Sequence, residues 1–338
     1  MNRRNFLATV AVAPLLAAPP TQRIRPRALR PGDTVGVITP STYVSDPDEL
    51  ESAARLVKFF DLRLKMGKNV GKRAGYLAGS VAERVSDLHD MFRDPEVKGV
   101  FAVRGGYGAA QLLDHIDYGL IRENPKVFLG FSDITALHLS IGKRTGLVTF
   151  HGPVATSHLT TWSQNALRKA IFSTQPLGNV ANPPEENPLR PSHTLRTVRP
   201  GKARGALVGG NLTLMSTTLG TPFEIETRGR ILLLEDVEED IYRIDRMLTH
   251  LRLAGKLDGV AGIVFGECQN CPPHGHSSAY SLGEVIDYLL GPLNIPVLFG
   301  LSFGHTEDQV TLPLGVMASL DAGARQLVVE EAGVIMAA

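Results

Sequence analysis

From Thr34 onward, short apolar runs alternate with stretches whose apolar residues recur at helical spacing, the pattern of an α/β domain built on a mostly parallel sheet. Thr34-Val35-Gly36-Val37-Ile38 reads as the first strand and runs into the polar loop Thr39-Pro40-Ser41-Thr42. A helix is predicted over 48–60, a strand near 62–65 and a second helix over 82–92, where Val85, Leu88, Met91 and Phe92 share one face. Gly99 to Val103 reads as a buried strand that ends in the glycine loop Arg104-Gly105-Gly106-Tyr107-Gly108. After a predicted helix over 109–113, Val127 to Gly130 forms the next strand, and another helix starts at Asp133. Ligands of open α/β sheets gather beyond the carboxyl ends of the strands, so both polar loops point toward one site.

The pattern then changes. Between 176 and 201 the chain carries many prolines and little apolar periodicity, which reads as a linker. Beyond it, strands are predicted at 231–234, 260–265 and 295–299, with a helix over 241–253 that keeps Ile241, Ile244, Leu248 and Leu251 on one face and Arg243 and Arg246 off it. The expectation is a first α/β domain over 23–175 and a smaller α/β or barrel-like domain over 202–338.

Residues 1–22 stand apart from both. Arg3-Arg4-Asn5-Phe6-Leu7 precedes an Ala-rich apolar run from Thr9 to Ala18, too short to span a bilayer as a helix, and reads as an export signal of the twin-arginine type. Export to the periplasm is therefore expected, with no stable membrane span after processing. The charge balance of 35 Lys plus Arg against 34 Asp plus Glu gives no field that would steer the protein to nucleic acid, and favours a small neutral or zwitterionic substrate. Cys268 and Cys271 are the only cysteines and precede His274 and His276; the cluster lacks the second ligand pair of most structural zinc sites, and in an exported chain an oxidised pair or two loop-borne thiols fit better. No metal is expected.

Ser132, in Gly130-Phe131-Ser132-Asp133-Ile134-Thr135, lies between a buried strand and a helix. A tight turn there pushes the hydroxyl out of the sheet, and free N–H groups at the helix start can face a developing oxyanion. Ile134 occupies the place of the second glycine of a G-x-S-x-G elbow, so a plain helix-capping serine fits the local sequence as well. A serine nucleophile needs a base and an acid that orients the base. His305, in Gly304-His305-Thr306, and His151, in Phe150-His151-Gly152-Pro153, both follow predicted strands and compete for the base; His138 lies on a helix and reads as structural. Glu235 and Asp236 end the apolar strand Ile231-Leu232-Leu233-Leu234, where a carboxylate is partly desolvated and suited to a histidine, although spacing alone favours a capping or salt-bridging acid at Glu235. The glycine loop has the wrong spacing for a dinucleotide fingerprint; it can offer a backbone N–H near Gly106 to an oxyanion.

Taken in order, several segments resemble the serine LD-carboxypeptidases, the family of murein tetrapeptide carboxypeptidases and microcin C self-immunity peptidases. They are Leu29-Arg30-Pro31-Gly32-Asp33, Arg104 to Gly108, Asn124-Pro125-Lys126, Gly130 to Thr135, His151-Gly152-Pro153, Gly209-Gly210-Asn211-Leu212, Leu234-Glu235-Asp236, Tyr242 to Leu248 and Gly304-His305. The resemblance implies a flavodoxin-like N-terminal domain that gives the serine and a C-terminal domain that gives the acid and base. It places the family's triad on Ser132, Glu235 and His305, and its oxyanion donors on the amides of Gly106 and Asp133. It also implies hydrolysis of an amide between an L-centre and a C-terminal D-amino acid, with a muropeptide or small peptide as substrate and no cofactor. Phe131 stands where members often have tyrosine, and members are commonly cytoplasmic, which the export signal contradicts. Arg104 is the candidate for the substrate's free carboxylate, because a guanidinium matches it bidentately. Alternatives are cleavage of a toxic aminoacyl-nucleotide conjugate, for which Trp162 is the only tryptophan available for stacking, and non-catalytic muropeptide capture. The sequence leaves a homodimer open.

Overall fold

The computed structural model describes residues 22–184, 187, 189, 192–271 and 280–336. The expected export segment lies outside them except for its last residue. In the first domain the strands β1 (Thr34–Ile38), β2 (Arg63–Met66), β3 (Val97–Ala102), β4 (Val127–Gly130) and β5 (Thr149–His151) are all parallel and lie in the order β2-β1-β3-β4-β5. That is the flavodoxin-like order. Its helices are α1 (Pro47–Phe59), α2 (Val81–Arg93), α3 (Tyr118–Glu123), α4 (Thr135–Thr145) and α5 (Thr161–Phe172). Local chemistry sets their ends. Asp46 accepts from the Asp48 amide ahead of Pro47 at the first helical position. Ser80 and Glu83 close a capping box on α2. The helix expected at 109–113 is only a 3-10 turn over Ala109–Leu112.

The second domain holds β6 (Gly178–Val180), β7 (Arg196–Arg199), β8 (Lys202–Asn211), α6 (Leu212–Thr217), β9 (Ile231–Val237), α7 (Ile241–Leu253), β10 (Gly262–Gln269), α8 (Leu282–Leu289), β11 (Val297–Leu301), β13 (Met317–Asp321) and β14 (Gln326–Val329). Its sheet is open and mixed, ordered β6-β14-β13-β8-β9-β10-β11-β7, with β8 to β11 parallel in the middle. The stretch read as a linker therefore supplies both edge strands of this sheet, β6 against β14 and β7 against β11. Edge strands tolerate nearby prolines and need no continuous apolar run, so this part of the chain carried no strand signal.

The remaining strand, β12 (Leu312–Leu314), crosses back and pairs antiparallel with β5, so the C-terminal half completes the N-terminal sheet. The first and last described segments are tied together as well, through the Ala28 amide on the Ile335 carbonyl at 2.9 Å. One apolar cluster runs through both sheets, joining Val35, Phe101 and Phe150 of the first to Leu207, Leu233 and Leu298 of the second. Continuous burial of this kind fixes the two domains against each other, where a polar interface would let them swing. Among the described residues no helix is long and apolar enough to cross a membrane. Cys268 and Cys271 are joined in a disulfide at the end of β10, with Cα atoms 5.7 Å apart, while His274 and His276 lie outside the described residues.

Candidate active site

Ser132 follows β4 after one extended residue, Phe131, and opens a 3-10 turn that leads into α4. Its φ is +64°, a left-handed conformation that costs a non-glycine residue energy and marks a sharp strand-to-helix elbow. Ile134, which lacks the expected glycine's freedom, is accommodated from the other side. It is fully buried, and a side chain at Gly130 would approach its Cγ atoms to 3.0 Å, so the glycine before the elbow gives the room.

The second domain brings the partners. Glu235 lies near the end of β9, in register with Asn211 of β8, and is fully buried. His305 follows β11 on a loop whose Gly304 has φ +85° and no space for a side chain, since a Cβ there would lie 2.2 Å from Glu235 Oε2. The result is a linear chain of polar atoms. His305 Nε2 stands 3.0 Å from Ser132 Oγ, and its Nδ1 stands 2.8 Å from Glu235 Oε2, which also accepts from the His305 amide at 3.3 Å. His151, the other candidate base, does not reach Ser132 within hydrogen-bond distance; it packs behind Glu235, its Nε2 3.7 Å from Oε1. His138 sets its Nε2 2.8 Å from the Gly130 carbonyl, and burial drives it down to about 3, so it is a neutral structural group.

Electrostatics follow from burial and pairing. Burial would raise Glu235, but the two histidines beside it outweigh that penalty and hold its carboxyl at about 2. Burial opposes a charged His305, yet the Glu235 carboxylate overrides it and raises the imidazole above its ordinary value. Asp236, next in the chain, is raised to about 6 by burial and by Glu235. Its carboxylate accepts from Asn211 Nδ2 at 3.1 Å and from the Thr213 amide at 3.0 Å, so it anchors α6 and leaves His305 to Glu235.

The glycine loop lies directly over the nucleophile. A side chain at Gly105 would come within 3.1 Å of Ser132 Oγ and 3.4 Å of the Asp133 amide nitrogen. Gly106 has φ +107° and packs on Thr42, whose Oγ1 accepts from the Tyr107 amide at 2.9 Å. Asp133 fixes the same loop from below, accepting from Ser41 Oγ at 2.6 Å and from the Ala109 amide at 2.7 Å. Ser41 and Thr42 are thus structural supports of the site; their signal was the polar loop after the first strand. Arg104 is partly exposed and engages both carboxylate oxygens of Glu49 on α1 at 3.3 Å. Trp162 is partly buried against the main core.

A strained serine, a histidine within reach of its hydroxyl, a buried acid behind the histidine and a glycine loop packed against the serine form an arrangement that can perform acyl transfer by covalent catalysis. The comparisons agree with this chemistry. Residues 35–152 match the LD-carboxypeptidase N-terminal domain, and residues 204–320 match the LD-carboxypeptidase C-terminal domain. The chain belongs to the LD-carboxypeptidase family, as a serine-type hydrolase. It is 43% identical over 306 residues to a probable murein peptide carboxypeptidase of Bacillus subtilis, covering 90% of this chain and 94% of that one. Its fold is similar to the microcin C7 self-immunity protein MccF solved with aspartyl sulfamoyl adenosine, with a TM-score of 0.84 at 27% identity, covering 92% of this chain and 100% of the other. It is also similar to the muramoyltetrapeptide carboxypeptidase of Oxalobacter formigenes, with a TM-score of 0.76 at 30% identity, covering 88% and 99% of the two chains.

A hydrolase that uses His305 as its base works only with the imidazole neutral. Because Glu235 raises that group, kcat/KM is expected to climb with an apparent pKa above the ordinary histidine value of about 6.5. Glu235→Gln should move this acid limb to lower pH and cut kcat by about 10⁴-fold, the size of effect known for amidating a triad acid. A pH profile of both proteins checks this; an unmoved limb would show that the carboxylate does not set the base.

Proposed function

We propose that the chain removes the C-terminal D-amino acid from an L,D-linked peptide, releasing D-Ala from peptidoglycan tetrapeptides, with Ser132 as nucleophile. The observation that carries this reading is the Ser132–His305–Glu235 chain of contacts at 3.0 and 2.8 Å. In this scheme Ser132 Oγ attacks the scissile carbonyl while His305 takes its proton, and the amides of Gly106 and Asp133 stabilise the tetrahedral oxyanion. His305 then returns the proton to the leaving D-amino acid, and water hydrolyses the acyl-enzyme by the same route. Glu235 keeps the His305 tautomer with Nε2 toward the serine and balances the imidazolium as it forms. No step needs a metal or organic cofactor.

Two further parts belong to the same proposal. The N-terminal twin-arginine segment directs the protein to the periplasm, where the peptides of the cell wall are made accessible. Arg104 recognises the substrate's terminal carboxylate. Its guanidinium already binds one carboxylate, that of Glu49, and an incoming peptide terminus offers the same chemistry.

The similarity to MccF supports a second reading, hydrolysis of an aminoacyl sulfamoyl nucleotide. Stacking of a base would call for an exposed aromatic at the site; Trp162 packs partly buried against the core, whereas Tyr107 of the glycine loop is exposed and meets Tyr76 edge-on at 5.6 Å between ring centres.

Purified protein incubated with a muropeptide tetrapeptide is expected to release D-Ala, followed by mass, and Ser132→Ala should lower that rate by at least roughly 10⁴-fold. Wild-type protein that leaves the tetrapeptide intact but cleaves an aspartyl sulfamoyl nucleotide would establish the second reading. For Arg104→Ala, kcat/KM should drop about 10- to 100-fold more on a free-acid peptide than on its amidated counterpart. Equal losses on both substrates would remove Arg104 from carboxylate recognition.

A further inference from the structure

His151 ends β5 with its ring 1% exposed, and neither ring nitrogen has a hydrogen-bond partner among the described residues. The facing oxygen, Glu235 Oε1, also lacks one. These unpaired groups face each other, Nε2 to Oε1, at 3.7 Å. The distance is longer than a hydrogen bond and short enough for the proton on His151 to decide the sign of the contact. With the proton on Nδ1, the Nε2 lone pair would point at a carboxylate buried without water. With the proton on Nε2, an N–H dipole points at it instead, and a small closing movement completes the bond.

The ring has little freedom to turn away. Phe303 lies edge-on at 5.8 Å and Phe131 at 6.3 Å between ring centres. The His151 backbone is held on both sides, paired with Gly130 of β4 and Leu312 of β12. Other titratable groups nearby are occupied: His138, 6.3 Å away between ring centres, is set against the Gly130 carbonyl, and Asp236 is bound by Asn211 and Thr213.

We propose that His151 is a positioning residue of the hydrolytic site, its Nε2–H held against Oε1 of Glu235 so that Oε2 stays committed to His305. The inference rests on the reading of Ser132, Glu235 and His305 as catalytic. It explains why a second histidine is buried at a site whose base is already supplied. Glu235 would be clamped between two imidazoles, one on each oxygen, and could not rotate Oε2 away from the ring and amide of His305.

Two measurements test it. In wild-type protein labelled with ¹⁵N-histidine, NMR is expected to find His151 protonated at Nε2; a bare Nε2 overturns the proposal, and this result does not depend on any variant folding. In the second, the rate at which a fluorophosphonate labels Ser132 is compared across variants, with Ser132→Ala as the unlabelled control. His151→Leu should slow labelling by about tenfold or more, and His151→Gln, which keeps an N–H donor for Oε1, should recover most of the rate. A folded leucine variant that labels at the wild-type rate overturns the role of His151 and leaves the catalytic reading standing. Wild-type protein that does not label at Ser132 overturns the catalytic reading itself, and the inference with it.

Discussion

A carboxylate with no exposure to solvent stays charged only if its surroundings replace the water it has lost, and the site is organised around that requirement at Glu235. Its Oε2 accepts from both the ring and the amide of His305, and His151 stands behind Oε1. The same interaction that keeps Glu235 ionised raises His305 and fixes which nitrogen faces the serine. Asp236 shows the contrast. Equally buried, it is raised rather than lowered, because burial and the neighbouring Glu235 charge outweigh its donors, which are amides and a hydroxyl instead of imidazoles, and those donors tie it to the start of α6.

The acid and the nucleophile come from different sheets, so the geometry is only as good as the fit between the domains. That fit is apolar and continuous, and β12 threads it by leaving the second domain to pair with β5 of the first. On this base the loops are set by polar contacts. Asp133 joins the elbow to Ser41 and to the end of the glycine loop, while Thr42 fills the space beneath Gly106. A fixed frame of this kind is what allows a serine to hold φ +64° while its hydroxyl remains 3.0 Å from a histidine carried by the other domain.

Much of this was legible in the chain. The parallel strands of the first domain are buried on both faces and read as apolar runs, so β1, β3 and β4 fell close to their predicted places. The proposed nucleophile, Ser132, was less legible, because its neighbourhood fits an N-cap as well as an elbow; the difference lies in a backbone angle and in residues more than a hundred positions away. Ordered motif resemblance carried that information where local spacing did not. His151 and His305 were equivalent by local spacing, each after a strand beside a glycine; the resemblance singled out His305, and the crossing of the two sheets puts it against Ser132 and His151 behind Glu235. The edge strands β6 and β7 were missed because edges tolerate prolines and need no apolar periodicity.

The central claim is that Ser132, His305 and Glu235 act as one unit across the domain boundary. The most direct test is a mutant cycle in kcat/KM over the single alanine variants of Ser132 and His305 and the double variant. If the two act together, the double variant is no slower than the slower single, since removing either partner already abolishes the shared step. Losses that multiply would contradict the account and mean that the two residues contribute independently.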